Sequence, residues 1–273
     1  MSSRVDDNIL RVTDIEYFHW SLTEADVPSE VVLDARPVSL AAAIELALIE
    51  SNFRTLANRA SFRIVSNCPV YQTVKSANWP AQKAPTEIRR KGLVVHVLPD
   101  SDQNSWWIGQ LRLLRNELIQ NEFPEILAGG LTGGVAEMVD NAWLHRETAD
   151  PPLLAYQVRK KQFAFSVADT GIGILKSLNE SPKYNWISSS MEAIEFAIQP
   201  GVSRLENGGM GFPSMIKAMA NLWGNARIRS GDAALIIDGT KEIRSNNFIS
   251  LPELPGLHVS VRCSLDASRA KSR

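Results

Sequence analysis

The stretch QFAFSVADTGIGI, residues 162–174, joins a strand pattern to a glycine-rich turn. Large apolar residues alternate with smaller ones from 162 to 168, which is the period of a β-strand packed on at least one face. The strand ends at Asp169, and Gly171 and Gly173 follow. Because glycines let the backbone come close to a ligand, Asp169 is suited to accept a hydrogen bond from an exocyclic amine. A structural turn closed by an Asx-type hydrogen bond would show the same letters.

A helical pattern precedes this strand in the segment VAEMVDNAWLH, residues 135–145. Glu137 and Asn141 lie four positions apart, so a helix places their side chains side by side, about 5–6 Å apart at Cβ. The carboxylate can accept a proton from water or a hydroxyl group, and the amide oxygen is a hard ligand that suits Mg²⁺. A polar helix face turned to solvent is the alternative interpretation.

A third segment, NGGMGFPSMIKAMANLWG at 207–224, begins with glycines and continues as an amphipathic helix. Pro213 suits the first position of a helix, and apolar residues recur at helical spacing after it. The start of such a helix offers unpaired N–H groups and the positive end of its dipole to phosphate oxygens. A plain junction between a loop and a helix would look similar.

The three motifs together are more specific than any one of them. In this order, E-x-x-D-N-A, D-x-G-x-G and a G-G-x-G-F that opens a helix resemble the GHKL ATPase superfamily over roughly residues 105–263. That superfamily includes the ATP-binding domains of gyrase, heat-shock chaperones, sensor histidine kinases, mismatch-repair proteins and anti-sigma-factor kinases. The resemblance implies ATP and Mg²⁺ as the ligands of this chain.

Roles for individual residues follow from the resemblance. By position, Asn141 resembles the asparagine that binds Mg²⁺ in the superfamily, and Glu137 resembles the acidic residue that is the general base in gyrase-like members. Asp169 matches the residue that recognises the adenine amino group, while Gly171 and Gly173 match the glycines of the pocket floor. The resemblance thus assigns catalysis to Glu137 and the metal ion to Asn141.

The phosphate end and the lid are assigned in the same way. Gly209 and Gly211 match the second glycine box, near the phosphates. His145 stands where members often place a histidine or aromatic residue that lines the pocket, although a packed structural histidine is an equal alternative. Residues 175–207 fall where the superfamily keeps its mobile ATP lid, and SMEAIEFAIQ within them predicts a helix.

Some features depart from the family pattern. Leu257 stands where many relatives carry a threonine that helps to hold the adenine, and Thr240 is the nearest alternative. No histidine begins a phosphoacceptor-like segment, which argues against a self-phosphorylating histidine kinase. The residues after 263 are too few for the second domain with which gyrase-type enzymes supply a lysine, so a gyrase-like motor is not expected. Slow ATP hydrolysis or Ser/Thr phosphoryl transfer of the anti-sigma kind is therefore the expected chemistry.

The N-terminal part alternates strand and helix patterns, at 31–35, 39–59, 60–66 and 70–79. Such alternation indicates a small α/β module. Its topology loosely resembles the STAS-like partners of anti-sigma kinases, and the alternatives are a dimerisation module or structural filler.

The expected domain order is a small α/β module at 1–100, a GHKL-type ATP-binding domain at 101–265 and a polar tail at 266–273. QKAPTEIRRKG, at 82–92, is interpreted as a boundary loop because it combines basic residues with a proline. LVVHVLP, at 93–99, is interpreted as a strand that closes the first module.

The second unit is expected to be an α/β sandwich. SWWIGQLRLLRNELIQ, at 105–120, predicts an amphipathic helix, NARIRSGDAALIID, at 225–238, predicts two strands around a turn, and 257–263 predicts a closing strand. The core side of the helix is expected to consist of Trp106, Ile108, Leu111, Leu114 and Leu118. The fold class is therefore α/β: a two-layer α/β sandwich with a mixed or antiparallel sheet, preceded by the small α/β module, with ATP between helices and lid.

Composition restricts the partners. A chain of 273 residues suits one or two domains, and a net charge of −1 gives no global field to attract nucleic acid or an anionic membrane. No apolar run approaches the roughly 20 residues of a membrane helix. Cys68 and Cys263 are expected as buried reduced thiols, which fits a cytoplasmic protein, and the four scattered histidines indicate no metal cluster.

The sequence thus predicts a cytoplasmic regulatory protein that uses Mg-ATP to control a partner protein. A homodimer stays open as its assembly. Two rivals stay open as well: a non-catalytic nucleotide sensor whose lid closure changes a protein interface, and a scaffold that binds no nucleotide.

Overall fold

The computed structural model of this chain describes residues 30–33, 38–55, 63–82, 84–98, 104–144, 147–202, 211–220, 222–239, 241, 243–244 and 247–266. Along these residues, the elements are β1 (Glu30–Leu33), α1 (Leu40–Thr55), β2 (Arg63–Ser66), α2 (Pro69–Ser76), β3 (Thr86–Arg90), β4 (Leu93–Val97), α3 (Asn104–Gln120), α4 (Glu125–Leu144), β5 (Leu153–Arg159), β6 (Gln162–Ala168), α5 (Gly173–Asn179), α6 (Ser190–Ala197), α7 (Gly211–Ala220), β7 (Trp223–Asp238) and β8 (Phe248–Ser264). The fold class is α/β, as predicted.

Six of the described strands form one sheet in the order β3-β4-β5-β6-β8-β7. Every neighbouring pair in this sheet is antiparallel. The apolar residues that alternate along β6, among them Phe163 and Phe165, are buried on one face of the sheet. The period-two pattern of the sequence therefore identifies the strand and the face that it buries.

Helices cover that face. The apolar stripe of α4, which contains Val135, Met138 and Val139, is fully buried in the same core as Phe165 of β6 and Met215 of α7. These residues recur at three- and four-residue spacing in α4, so they share one side of the helix. The predicted α/β sandwich, with an antiparallel sheet, is confirmed.

The opposite face of the sheet is also covered. A second core joins α1 and α2 to β4 and β5, where Val95 and Ala155 point away from the first core. Alanines at 42 and 43 of α1 are fully buried there, and their small size lets the helix lie close to the strands. β1 and β2 pair in parallel as a separate two-stranded sheet beside this layer.

The interpretation of 82–92 as a boundary loop is wrong. Thr86–Arg90 form β3, which pairs with β4 at the edge of the large sheet. Exposed charged residues such as Glu87 and Arg89 are what an edge strand carries, so a polar sequence concealed a real strand. β4 is a strand as predicted, but it also pairs with β5, and the six-stranded sheet therefore begins ahead of the boundary expected near residue 100.

Two further expectations need correction. Residues 225–238 are not two strands around a turn: they belong to the single strand β7, which accommodates Gly231 at a φ of +60° within an irregular pairing with β8. In α3, Ile108 is not in the core, because its side chain is 48% exposed, whereas Trp107 is 5% exposed. The helix is rotated so that Trp107 packs edge-on against Trp143 of α4.

The sequence predicts two buried reduced thiols and no membrane-spanning helix. Cys68 and Cys263 are both free and buried, as expected. Burial raises the pKa of the Cys263 thiol to about 12, so this thiol is not a nucleophile at neutral pH. Among the described helices, none is both long and apolar enough to span a bilayer.

Candidate functional site

Asp169 lies immediately after β6 and is 4% exposed. Its backbone N–H donates a hydrogen bond to the Leu257 carbonyl over 3.0 Å. Its side-chain Oδ1 accepts a hydrogen bond from the Gly171 N–H over 2.8 Å. This is the Asx-type turn that was the structural alternative for these residues, and it holds the carboxylate in one orientation. A carboxylate oxygen has acceptor capacity for more than one donor, so the turn leaves a ligand role open.

β8 passes directly against this turn at Gly256. A Cβ on Gly256 would lie 2.0 Å from the Asp169 carbonyl oxygen and 3.0 Å from Oδ1, and the residue has a φ of +85°. Only glycine satisfies both conditions, since any side chain would push β8 away from the Asp169 turn. The close approach of the two segments therefore depends on Gly256.

Leu257 lies beside Asp169, where a threonine was expected from the family pattern. Its backbone carbonyl accepts the Asp169 N–H, while its side chain is 8% exposed and belongs to the apolar core. The leucine side chain has no hydrogen-bonding group. Any hydroxyl contact to a base at this position must therefore come from another residue.

Gly173 begins α5 with a φ of +76°. A Cβ there would lie 2.7 Å from the Ser230 Oγ and 3.3 Å from the Gly256 carbonyl oxygen. The glycines of the D-x-G-x-G motif thus have different functions: Gly171 closes the turn through its N–H, and Gly173 allows β7 and β8 to approach the start of α5.

A second side-chain contact links this turn to the segment that follows α4. The Thr170 hydroxyl donates a hydrogen bond to Asp150 Oδ2 over 2.9 Å. The next residue, Pro151, accepts a hydrogen bond at its carbonyl from the Trp79 ring N–H over 2.6 Å. The Asp169 turn is therefore connected both to the chain after α4 and, through that segment, to the chain after α2.

Glu137 and Asn141 lie on α4, opposite its buried stripe. Glu137 is exposed and Asn141 is partly buried, while Ala142 is completely buried. Partial burial raises the pKa of the neighbouring Asp140 carboxyl group, and the negative charge of Glu137 raises it further. The polar stripe is therefore accessible and carries closely spaced negative charge, which favours a cation.

α7 packs against α4 at the centre of both helices. A Cβ on Gly134 would lie 3.9 Å from the Met215 Cγ, so the helix backbones approach closely at this position. Gly211, the first residue of α7, precedes Met215 by about one helical turn, and Asn141 follows Gly134 by about two turns. The apolar stripe predicted for this helix is confirmed at Met215, which is 2% exposed.

The structure brings some of the predicted site residues together. Asp169, Gly171 and Gly173 form one turn with Gly256. Their strand β6, the helix α4 with Glu137 and Asn141, and the helix α7 that begins at Gly211 all contribute to one core. Gly209 and His145 lie outside the described residues, as does Thr240.

Ser230 belongs to this site although its sequence context did not identify it. Its hydroxyl accepts a hydrogen bond from the Ile174 N–H over 2.8 Å and donates one to the Gly256 carbonyl over 3.1 Å. The only sequence signal was the S-G-D run at 230–232, which was interpreted as a turn.

The segment 175–207, predicted to be an ATP lid, contains the predicted helix as α6. The Ser189 hydroxyl accepts the Glu192 N–H and caps its first turn. A Cβ on Gly231 of β7 would lie 2.5 Å from the Ser190 Oγ, so α6 begins directly on the strand that carries Ser230. Just before α6, Trp186 is 58% exposed and packs edge-on against Phe196 of this helix.

A magnesium site made by the protein alone is not present in the described part of the chain. No group of three or more His, Cys, Asp or Glu side chains there could hold a metal ion. Mg²⁺ that arrives with a nucleotide needs only one or two protein ligands, because phosphates and water supply the others. The assignment of the ion to Asn141 therefore remains a prediction compatible with this finding.

The comparisons with known proteins add no assignment. No protein-family model matches the chain, and a search of curated proteins finds none that is significantly similar to it. The resemblance to GHKL ATPases thus depends on the three sequence motifs alone.

Proposed function

We propose that this chain is an ATP-binding regulatory protein that uses Mg-ATP in a GHKL-type pocket to control a partner protein. Slow ATP hydrolysis or Ser/Thr phosphoryl transfer would be its chemistry. One observation carries the proposal: a turn at the end of the central strand β6 fixes the orientation of the Asp169 carboxylate. β8 packs so closely against this turn that only a glycine, Gly256, fits at the contact. Such a turn holds the carboxylate oxygen in a fixed orientation as an acceptor.

Asp169 would bind the adenine base of the nucleotide. An orienting hydrogen bond from Gly171 leaves the carboxylate able to accept a second hydrogen bond, of the kind that an exocyclic amine donates. Burial of Asp169 to 4% exposure strengthens such a bond, because few water molecules compete with it.

The catalytic end would use α4. Asn141 would supply an amide oxygen to Mg²⁺, and the exposed carboxylate of Glu137, one turn earlier, would accept a proton from water or a protein hydroxyl. When bound, Mg-ATP supplies the transferable phosphoryl group together with a divalent charge that offsets the phosphates. The start of α7 at Gly211 would offer its N–H groups to the phosphate oxygens.

A second candidate function is supported by the lid region. Trp186 exposes 58% of its surface beside Phe196, next to a helix that begins against β7. In a non-catalytic nucleotide sensor, lid closure would change this aromatic surface and so alter a protein interface. Turnover of ATP by the purified protein separates the two candidates.

Binding of ATP is tested with Asp169→Asn. The substitution keeps an oxygen that can accept the Gly171 N–H, so the turn is preserved while the negative charge is lost. We expect the affinity for Mg-ATP, measured by titration calorimetry, to fall by about 10- to 100-fold, the value of a hydrogen bond to a charged group. Asp238→Asn is the matched control, because Asp238 ends β7 and forms an ion pair with the exposed Lys241.

A binding measurement on the wild-type protein tests the proposed function itself. Millimolar Mg-ATP should raise its Tm, since a ligand of the native state stabilises that state. No thermal shift would support the scaffold that binds no nucleotide. If binding is found, incubation with ATP labelled at the γ-phosphate, with and without cell extract, distinguishes free phosphate from phosphoprotein as the product.

A further inference from the structure

The Ser230 hydroxyl makes two hydrogen bonds to its neighbours. It accepts a hydrogen bond from the Ile174 N–H at the start of α5 and donates one to the Gly256 carbonyl of β8. Ser230 is 2% exposed, so water does not replace either bond easily. A single side chain on β7 therefore connects two other segments of the chain.

An irregularity in strand pairing creates this position. Ser230 pairs with Leu257 and the next residue, Gly231, pairs with Leu254, so β8 carries two additional residues, Pro255 and Gly256, opposite an uninterrupted stretch of β7. Bulges of this kind bend a strand and redirect its groups, and they occur often beside functional sites. Here the bulge turns the Gly256 carbonyl toward the Ser230 hydroxyl.

The same bulge supports the Asp169 turn. Gly256 contacts the Asp169 backbone so closely that a Cβ would lie 2.0 Å from the Asp169 carbonyl oxygen. Gly173, which ends the D-x-G-x-G motif, approaches Ser230 with similar closeness. The hydroxyl thus holds both sides of the turn: the start of α5 on one side and the β8 bulge on the other.

We propose that Ser230 is a positioning residue that sets the preference of the site for a purine with a 6-amino group, by fixing the orientation of the Asp169 carboxylate. The inference depends on the function proposed above and extends it to a residue outside the three motifs. Ser230 acts through the turn: its hydroxyl is already used by Ile174 and Gly256.

Base discrimination is the measurement that tests this role. Three ligands are titrated with Mg²⁺ present: ATP, inosine triphosphate, which carries an oxygen in place of the 6-amino group, and tripolyphosphate, which has no base. We expect Ser230→Ala to weaken ATP binding by about five- to tenfold, the effect of losing one buried hydrogen bond. Affinities for inosine triphosphate and tripolyphosphate should change by less than about twofold, so the ratio between ATP and inosine triphosphate falls.

Two other substitutions control for structural damage. Ser166→Ala removes a buried hydroxyl of the same sheet that has no hydrogen-bond partner in the described part of the chain, and the ratio should stay at its wild-type value. Ser230→Thr retains the hydroxyl and should restore most of the preference. If Ser230→Ala does not fold, Ser230→Cys, which keeps the volume and weakens both hydrogen bonds, should show a smaller loss in the same direction.

The outcomes are distinguishable. If wild-type protein binds no ATP, the proposed function fails and this inference fails with it. If wild-type protein prefers ATP but Ser230→Ala, or Ser230→Cys in its place, keeps the full preference, the inference alone is overturned. An equal loss of affinity for all three ligands would also overturn it, because Ser230 would then support the fold without orienting Asp169.

Discussion

The two faces of the six-stranded sheet are covered by different kinds of side chain. On the face that carries the candidate site, apolar residues such as Phe165, Val139 and Met215 form a continuous core. On the opposite face, α1 inserts Glu45, which is completely buried, between polar residues of β7 and β8. Polar groups also occur on the site side, where α4 carries the exposed Glu137 and the partly buried Asn141.

The buried polar group on the second face is satisfied by the protein itself. Arg227 donates to Glu45 Oε2 over 2.8 Å, Arg229 donates to Oε1, and the His258 Nδ1 lies 2.8 Å from Oε2. Because a carboxylate can only accept, the His258 Nδ1 is the donor in this contact. Arg229 also donates to the Pro252 carbonyl over 2.6 Å.

The protonation states agree with this arrangement. Burial alone would raise the pKa of Glu45, but Arg227, Arg229 and His258 hold it well below its usual value. Burial lowers the pKa of His258 although its hydrogen bond to Glu45 acts in the opposite direction. A charged carboxylate, charged guanidinium groups and a neutral imidazole thus form the quartet of Glu45, Arg227, Arg229 and His258. Both Glu45 oxygens are paired within the quartet, which identifies it as a structural device that fixes α1 on the sheet.

The largest expected effect comes from breaking this quartet. Glu45→Gln would leave two buried guanidinium groups without their charge partner, and we expect it to lower the free energy of unfolding by about 3–5 kcal/mol. Urea denaturation measures the loss. The matched control is Glu125→Gln, an exposed glutamate of α4, which should change stability by less than about 0.5 kcal/mol. A loss below about 1 kcal/mol for Glu45→Gln would show that the quartet does not hold the second face.

The next effect concerns His96 of β4, which lies on the site face against Trp106 and Tyr156. Among the described residues, neither ring nitrogen has a hydrogen-bond partner, and the charges of Glu87 and Arg89 act on the ring. Burial lowers the pKa of His96 to about 4.

In the unfolded chain His96 is protonated below about pH 6.5, whereas in the folded chain it is protonated only below about pH 4. The free energy of unfolding therefore decreases as the pH falls through this range. We expect the contribution to be about 3 kcal/mol between pH 7 and pH 4. His96→Phe should lose less stability than wild type over this interval in urea titrations at each pH. Parallel curves for the two proteins would contradict the prediction.

A third effect tests the exposed polar stripe of the site face. If Glu137 is a general base, Glu137→Ala should slow ATP turnover by about 100-fold or more while the Kd for Mg-ATP changes by less than about threefold. Glu125→Ala on the same helix is the control and should turn over ATP like wild type. Equal turnover by Glu137→Ala and wild type would favour the non-catalytic sensor.

The smallest expected effect comes from Ser166→Ala, which compares a buried polar group on the second face that lacks a hydrogen bond among the described residues with the paired Glu45. Ser166 of β6 is fully buried there, and its hydroxyl has no hydrogen-bond partner among the described residues. Ser166→Ala should change the free energy of unfolding by less than about 0.5 kcal/mol, or stabilise the protein slightly, since it removes an unpaired polar group. A loss above about 1 kcal/mol in thermal or urea unfolding would reveal a partner for this hydroxyl.

Sequence reasoning was successful where one element determines its own pattern. The strand at 162–168, the helix that carries Glu137 and Asn141, and the lid helix α6 all lie where periodicity predicts them. It failed where pairing with another strand, and not the local sequence, determines the secondary structure. The charges of Glu87 and Arg89 concealed the edge strand β3, and the S-G-D run at 230–232 is part of a long strand because β8 supplies the irregularity opposite it.

The site divides in the same way. Asp169, Gly171 and Gly173 are neighbours in sequence, so their turn could be predicted from the motif. Ser230 and Gly256 meet this turn from other strands, and no local spacing indicates that they would.

By itself, the sequence determined which faces of its strands and helices are apolar, and it placed an aspartate and two glycines at the end of a central strand. Only the tertiary structure decided which distant groups complete those features: Glu45 meets Arg227 across 182 residues, and Ser230 meets Ile174 across 56. The physical reason is that periodicity specifies the direction in which a side chain points, whereas its partner is chosen by the packing of whole elements against one another.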